Sequence, residues 1–390
     1  MMFCENKKVD VAIQIMIFCI AMNIFHLGQF LLPVICLLLW INDKYKIKIK
    51  NMKIFILLCA FSIFFFVFSF KLGFYSVMGF CLPMAYYIGG RLNKSADNIK
   101  KLIYLIALGM GAHVLLNMAY DFTIYGTDLF NHTSHYDIWL QDEAMPTAVA
   151  TNYMIITGCV YYLLLKENNK KLKFGILGVY LVMMIYNITV GRRTPILMLG
   201  ITLAVGVVFD FFIFGGNKKV LKKMLIALGL VILVVFVIWN FDIFGIKTKL
   251  YWMPFLAKFR EYGLDTGRFD IMINGIKMMP HYLWGGQYIS GLMEIQIHDL
   301  WLDIYDYAGI VPFVLMIVFT VYEIVCFIKL LINKKISSDF KILLIGVYAA
   351  CLVQAMLEPL MTGASIFLIC MVMMFATTDS YKKFEGVEYE

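Results

Sequence analysis

Charge is what this chain has least of. Only 15% of its residues are Asp, Glu, Lys or Arg, against roughly 25% in a soluble domain. With 62% hydrophobic residues and a mean hydropathy of +0.81, that shortage excludes a water-soluble protein. Cysteines are present but badly placed for cross-linking. All nine lie in the N-terminal tail or in apolar runs, so no disulfide framework is expected, and no zinc spacing forms. Internal repeats and low-complexity linkers are missing, and a single domain over 1–390 is expected. No cleavable signal is evident, because the first apolar run leads straight into others. The net charge of +8 is no nucleic-acid signal, since its lysines sit in short links between apolar runs, where membrane orientation explains them.

What is abundant is the apolar run of about 20 residues, recurring to the end of the chain. Such runs suit membrane-crossing helices, whereas a barrel would show short alternating segments. The expected fold is an all-α polytopic membrane protein with about twelve transmembrane helices. The candidate spans fall near 9–25, 27–41, 54–70, 75–90, 102–119, 146–165, 174–190, 195–214, 224–244, 308–328, 342–357 and 363–378. Orientation tests the set. With both termini on the cytoplasmic side, every short inner link is lysine-rich: KYKIKIKNMK, RLNKSADNIKK, KENNKKLK, NKKVLKK and NKKISSDFK. Two long segments then face outward, near 120–145 and 245–299.

The remaining cations on the outer side are Lys71, Arg192, Arg193, Lys247, Lys249, Lys258, Arg260, Arg268 and Lys277. They run against the orientation bias and invite a reason. GRRTPILML puts Arg192 and Arg193 just before a span, with Thr194 a candidate N-cap and Pro195 in the first helical position. Guanidinium groups beside free helical N–H groups form an anion site, and the planar fork of arginine suits phosphate. The plainer alternative is contact with lipid headgroups. Arg268 follows Asp265 and Gly267, which favour a turn.

The stretch Gly263–Pro312 carries the most chemistry. In HDLWLDIYDYAGIVPF, a helix would set Asp299, Asp303 and Asp306 on one stripe with His298 on its flank. An imidazole near carboxylates suits a proton acceptor at neutral pH, or else a headgroup contact. Glu358, at the outer end of a span, is costly unless paired, and Arg192, Arg193 or Arg268 are its candidate partners. NHTSHYD brings together His132, His135 and Asp137, but without a further ligand motif no metal site is assigned. His281, beside Tyr282 and Trp284, reads as an interfacial residue.

GRRTP at a span end, TGRFD early in the large outer loop, and WGGQY followed by HDLWLDIYDYAGIVPF together resemble the O-antigen polymerase and O-antigen ligase superfamily. The resemblance is best over about 187–375 and rests on the order and common outer placement of the motifs. His298, Asp303, Gly309 and Ile310 stand at matching positions, while Asp299 replaces the usual Asn. LEPLMTG is similar to the acidic step before the family's final span. The resemblance implies a bacterial inner-membrane glycosyltransferase with its active site on the outer face and no cofactor or metal. Its partners would be an undecaprenyl-diphosphate-linked oligosaccharide, membrane lipid, and the chain-length regulator and flippase of the same pathway. Arg192, Arg193 and Arg268 would hold the diphosphate. His298 and Asp303 would be catalytic, supported by Asp299 and Glu358. Polymerisation of repeat units is the expected reaction. A ligase is the alternative, and a flippase fits less well because spans look nearly free of mid-bilayer charge.

Overall fold

The computed structural model describes residues 6–49, 51–70, 73–92, 95–126, 135–144, 146–189, 191–242, 260, 267–293 and 297–384. His132, Lys71, Lys247, Lys249 and Lys258 lie outside the described residues, as does part of the outer segment 245–299. The helices are α1 (Lys7–Ala21), α2 (Leu31–Asn42), α3 (Met52–Ser69), α4 (Phe74–Met78), α5 (Cys81–Leu92) and α6 (Ala96–Tyr125), followed by a small hairpin, β1 (His135–Asp137) and β2 (Asp142–Ala144). Then come α7 (Pro146–Thr151), α8 (Met154–Leu165), α9 (Lys170–Thr189), α10 (Thr194–Val207), α11 (Lys218–Phe241), α12 (Arg268–Met278), α13 (Tyr288–Met293), α14 (Leu300–Ala308), α15 (Ile310–Ile332), α16 (Ser338–Leu357) and α17 (Ser365–Phe384).

The chain is an all-α polytopic membrane protein apart from that hairpin. Among the described residues, six helical stretches are long and apolar enough to cross a bilayer: Met52–Ser69, Ala96–Tyr125, Lys170–Ile188, Thr194–Ile213, Ile310–Ile332 and Ser338–Leu357. Shorter apolar helices occupy Gly28–Asn42, Val149–Leu165 and Ser365–Asp379. Two expected spans are not continuous. The one near 75–90 breaks into α4 and α5, where Ser62 Oγ donates to the buried Gly79 carbonyl at 2.8 Å. The one near 146–165 breaks into α7 and α8. A third expectation, a helix running from His298 straight into the tenth span, also fails: Gly309, at φ +80°, separates α14 from α15.

Close packing explains which helices pair. The two most intimate pairs are α17 on α5 and α16 on α8. In the second, a Cβ on Gly158 or Gly346 would fall within 3 Å of the other's backbone. Small residues let helical backbones approach where water offers no driving force. Serine and asparagine start several helices by accepting backbone N–H bonds, as Ser95 does for α6 and Asn217 for α11.

The lysine-rich links gather at one end of the bundle and are tied there by charge. Lys166 Nζ reaches Asp210 at 3.0 Å and Asp339 at 3.3 Å, Lys100 pairs with Glu167, and Arg91 with Asp43. Asp379 accepts from Tyr86, Asn51 and Tyr322, joining α17 to α5, α15 and the start of α3. The opposite end carries the hairpin, the α9–α10 link, α12–α14 and the α16–α17 link. Every candidate functional residue lies at that second end.

Candidate functional site

The α16–α17 link is the strip on which the site is built. It begins at Glu358, an extended residue that ends α16. Arg268 opens α12 after Gly267, whose φ of +67° forms the turn. Its Nη1 donates to the Leu357 carbonyl at 2.9 Å and to Glu358 Oε1 at 3.2 Å. His298 Nδ1 stands 3.5 Å from Glu358 Oε2. The carboxylate is 3% exposed, while the Arg268 and His298 side chains are 23% and 24% exposed. Glu358 is therefore the buried anchor, and its two partners face open space.

Arg192 joins the same group from the α9–α10 link. Burial pushes its guanidinium down to about 10, and it feels both the Glu358 carboxylate and the Arg268 guanidinium. It stays ionised at neutral pH. Arg193, half-buried, occupies the N-cap of α10, with Thr194 and Pro195 following, so the helix starts one residue earlier than Thr194 as cap would give. Arg192, Arg268, His298 and Glu358, separated by up to 166 positions, thus share one locus. It sets two guanidinium groups against one carboxylate, which favours an anionic ligand.

The three aspartates have other duties. Asp299 caps α14, its Oδ1 accepting from Leu302 N at 2.8 Å, and burial raises its carboxyl to about 6. Asp306 accepts from Ile289 N at 3.1 Å and Ser290 N at 3.2 Å, so it holds the start of α13. Asp303 is 1% exposed and accepts from Thr362 Oγ1 at 3.0 and 3.2 Å, with burial keeping its carboxyl well above the usual range. Of the two residues expected to be catalytic, His298 faces Glu358 rather than Asp303, because the Asp303 carboxyl is buried against Thr362.

The WGGQY motif has a structural task. Gly286 N donates to Tyr307 O at 3.0 Å, Gln287 N to Asp306 O at 2.8 Å, and Ile310 N to Leu283 O at 2.9 Å. Gly285 and Gly309 lie against each other at φ +73° and +80°, and a Cβ on either would strike backbone at 2.5 or 2.4 Å. The motif thus locks onto the break between α14 and α15.

A second cluster escaped the sequence reading. Asp137, on β1, is flanked by two histidines, with His26 Nε2 3.0 Å from Oδ1 and His113 Nε2 3.1 Å from Oδ2. Burial alone would raise the Asp137 carboxyl, but the bonds from His113 and His26 outweigh it and hold it well below the usual range. Behind each imidazole stands an amide, Asn23 Nδ2 at 3.1 Å from His26 Nδ1 and Asn152 Nδ2 at 3.5 Å from His113 Nδ1. His135 instead meets Asp121 at 2.8 Å and Tyr186 at 2.7 Å, so it and Asp137 do not converge. His26, His113 and Asp137 line a cavity of about 530 Å³, which Thr362 and Ser365 of the α16–α17 link also border. The missed signal was His113 itself, since an ionisable residue inside an apolar helix is a functional candidate by default.

The fold and the arginine-lined rim define a class, a multi-pass helical membrane protein with an anion-favouring group at one end. The family is narrower. A family model described as O-antigen polysaccharide polymerase Wzy matches residues 1–244, more than half of the chain, and the protein belongs to that family of O-antigen repeat-unit polymerases. No curated protein matches the chain. The matched segment holds Arg192, Arg193 and the His26–Asp137–His113 cluster; it ends before Arg268, His298 and Glu358. It therefore overlaps only the start of the 187–375 stretch in which the motifs were read.

Proposed function

We propose that the protein joins lipid-linked oligosaccharide repeat units into a longer surface polysaccharide at the outer face of a bacterial cytoplasmic membrane. The observation that carries this reading is the meeting of Arg192 and Arg268 around the single Glu358 carboxylate. Two guanidinium forks match a polyprenyl diphosphate, here undecaprenyl diphosphate, and stabilise the charge that grows as it leaves. Arg193 stands beside them at the N-terminus of α10, where backbone N–H groups add to the anion field.

In the reaction, an acceptor hydroxyl oxygen bonds to the anomeric carbon of the donor glycan. The bond from that carbon to the diphosphate oxygen breaks, and its electron pair departs with the diphosphate. The hydroxyl proton passes to Nε2 of His298, whose Nδ1 side faces Glu358. Glu358 positions both His298 and Arg268. Arginines supply the charge stabilisation, so activity is expected to persist in EDTA; inhibition that a divalent ion reverses would overturn that part.

The lysine-rich links lie at the end of the bundle opposite this group, which supports an outward-facing site under the positive-inside rule. A deletion strain tests the reaction. Single repeat units accumulating on the carrier lipid are the expected result. Finished but unattached chains would replace polymerisation with ligation.

A further inference from the structure

The His26–Asp137–His113 cavity differs in chemistry from the arginine group beside it. Its lining holds amides, hydroxyls, imidazoles and the carboxylates of Asp137 and Glu143, and neither lysine nor arginine is among the lining residues. A phosphate would find no lysine or arginine there and two carboxylates to repel it. A polyhydroxylated, uncharged ligand finds the reverse: the Glu143 carboxylate and the unsatisfied Asn23 Oδ1 to accept from hydroxyls, and the Tyr75 and Ser365 hydroxyls to donate. Met78, Val149 and Ile366 supply apolar wall for the C–H face of a sugar ring. The volume of about 530 Å³ falls within the roughly 300–1,000 Å³ of small-molecule sites.

The wall is rigid where it matters. Asn117 Oδ1 accepts from Ile138 N at 3.1 Å, and Asp137 Oδ1 accepts from Trp139 N at 2.8 Å. Asp121, four residues further along α6, accepts from Tyr136 N at 2.8 Å. Helix α6 thus grips the hairpin that presents Asp137, and Trp139 stacks on the His113 ring at 6.3 Å between centroids. Both oxygens of Asp137 are already engaged by imidazole Nε2 atoms, and no metal-holding group of His, Cys, Asp or Glu occurs among the described residues.

Placement relates the cavity to the arginine group. Glu358 belongs to the group and Thr362 to the cavity, four positions apart on one link, so their Cα atoms lie within roughly 14 Å. The link is tighter than that bound, since Gly363 N donates to Pro359 O at 2.7 Å.

We infer that this cavity is a saccharide-binding site that seats the uncharged sugars of the acceptor repeat unit beside the donor's diphosphate. The word acceptor rests on the proposed polymerase reading; binding of a neutral oligosaccharide does not. The test uses the full-length protein in lipid nanodiscs and two probes, the phosphate-free repeat-unit oligosaccharide of the host polysaccharide and sugar-free undecaprenyl diphosphate. In saturation-transfer NMR, wild type is expected to saturate the ring protons of the oligosaccharide. Asn152→Leu and Ser365→Leu should weaken that signal at least tenfold, and Arg268→Ala should keep it. Undecaprenyl diphosphate binding should show the opposite pattern, lost in Arg268→Ala and kept in Asn152→Leu. No oligosaccharide signal in wild type, or a signal unchanged in both cavity variants, overturns the inference. Diphosphate binding that ignores Arg268→Ala would sink the polymerase reading instead and leave the saccharide site standing.

Discussion

Two regions at one end of this bundle each surround a buried acid, with different partners. Around Glu358, one buried carboxylate gathers arginines and a histidine that are partly open to solvent. Around Asp137, one buried carboxylate gathers two histidines, and amides stand behind them. The first arrangement carries an excess of fixed positive charge; the second carries none and offers donors and acceptors. The difference teaches that the partners of a buried acid, rather than the acid itself, decide what the surrounding space can hold. A guanidinium stays charged and reaches outward, whereas an imidazole can be neutral and exchange roles as donor or acceptor.

The comparison breaks most sharply at Arg268. Arg268→Ala is expected to reduce polymer at least 100-fold in a complemented deletion strain while membrane levels hold, because a charge-assisted donor to the leaving group is lost. Arg268→Lys should recover little, since an ammonium cannot span two oxygens. Wild-type ladders from both variants would show that the cluster serves structure alone. His113→Ala should act on the other side of the comparison. Its expected effect is a roughly tenfold rise in the acceptor concentration for half-maximal rate, about 1.4 kcal/mol, with diphosphate binding unchanged. A loss confined to the turnover rate would argue against an acceptor role.

Two further changes probe the frame that both regions share. Gly309→Ala forces a Cβ into the backbone of Leu283 and Trp284 at positive φ, and should cost about 1–3 kcal/mol in detergent unfolding. An unchanged melting temperature would mean that the α14–α15 break is not fixed by this contact. The smallest effect is expected from Asp299→Asn, which keeps an N-cap acceptor. The folded carboxyl lies near 6 because of burial, above its unfolded value. It therefore stabilises the fold at acidic pH, and that contribution fades as pH rises through about 6. The Asn variant should show a flatter dependence of melting temperature between pH 4 and 6.5, and a parallel curve would remove Asp299 as the cause.

Much of this was legible in the chain. Helices lie where apolar runs were read, the lysine-rich links share one end, and Glu358 does meet Arg268. Glu358 was readable because a carboxylate at a span end demands a partner. Asp299, Asp303 and Asp306 were readable as helical neighbours, yet each was drawn to a different partner: the α14 backbone, Thr362 and the start of α13. Sequence spacing describes a helix face but not what packs on it. The His26–Asp137–His113 group stayed hidden because its members come from a link, a strand and an apolar helix; NHTSHYD marked Asp137 but grouped it with His132 and His135 instead of the histidines that meet it.

By itself the sequence determined that this protein is helical and lives in a membrane, because backbone groups in hydrocarbon must bond within their own helix and side chains there must be apolar. It also determined which links bear lysine and which bear arginine. Only the tertiary structure decided which polar side chains meet, since Arg192, Arg268 and Glu358 are brought together by helix packing across long stretches of chain. That packing depends on where small residues such as Gly158 and Gly346 let backbones close up. Such contacts are set by complementary surfaces in three dimensions, which no local pattern of residues encodes.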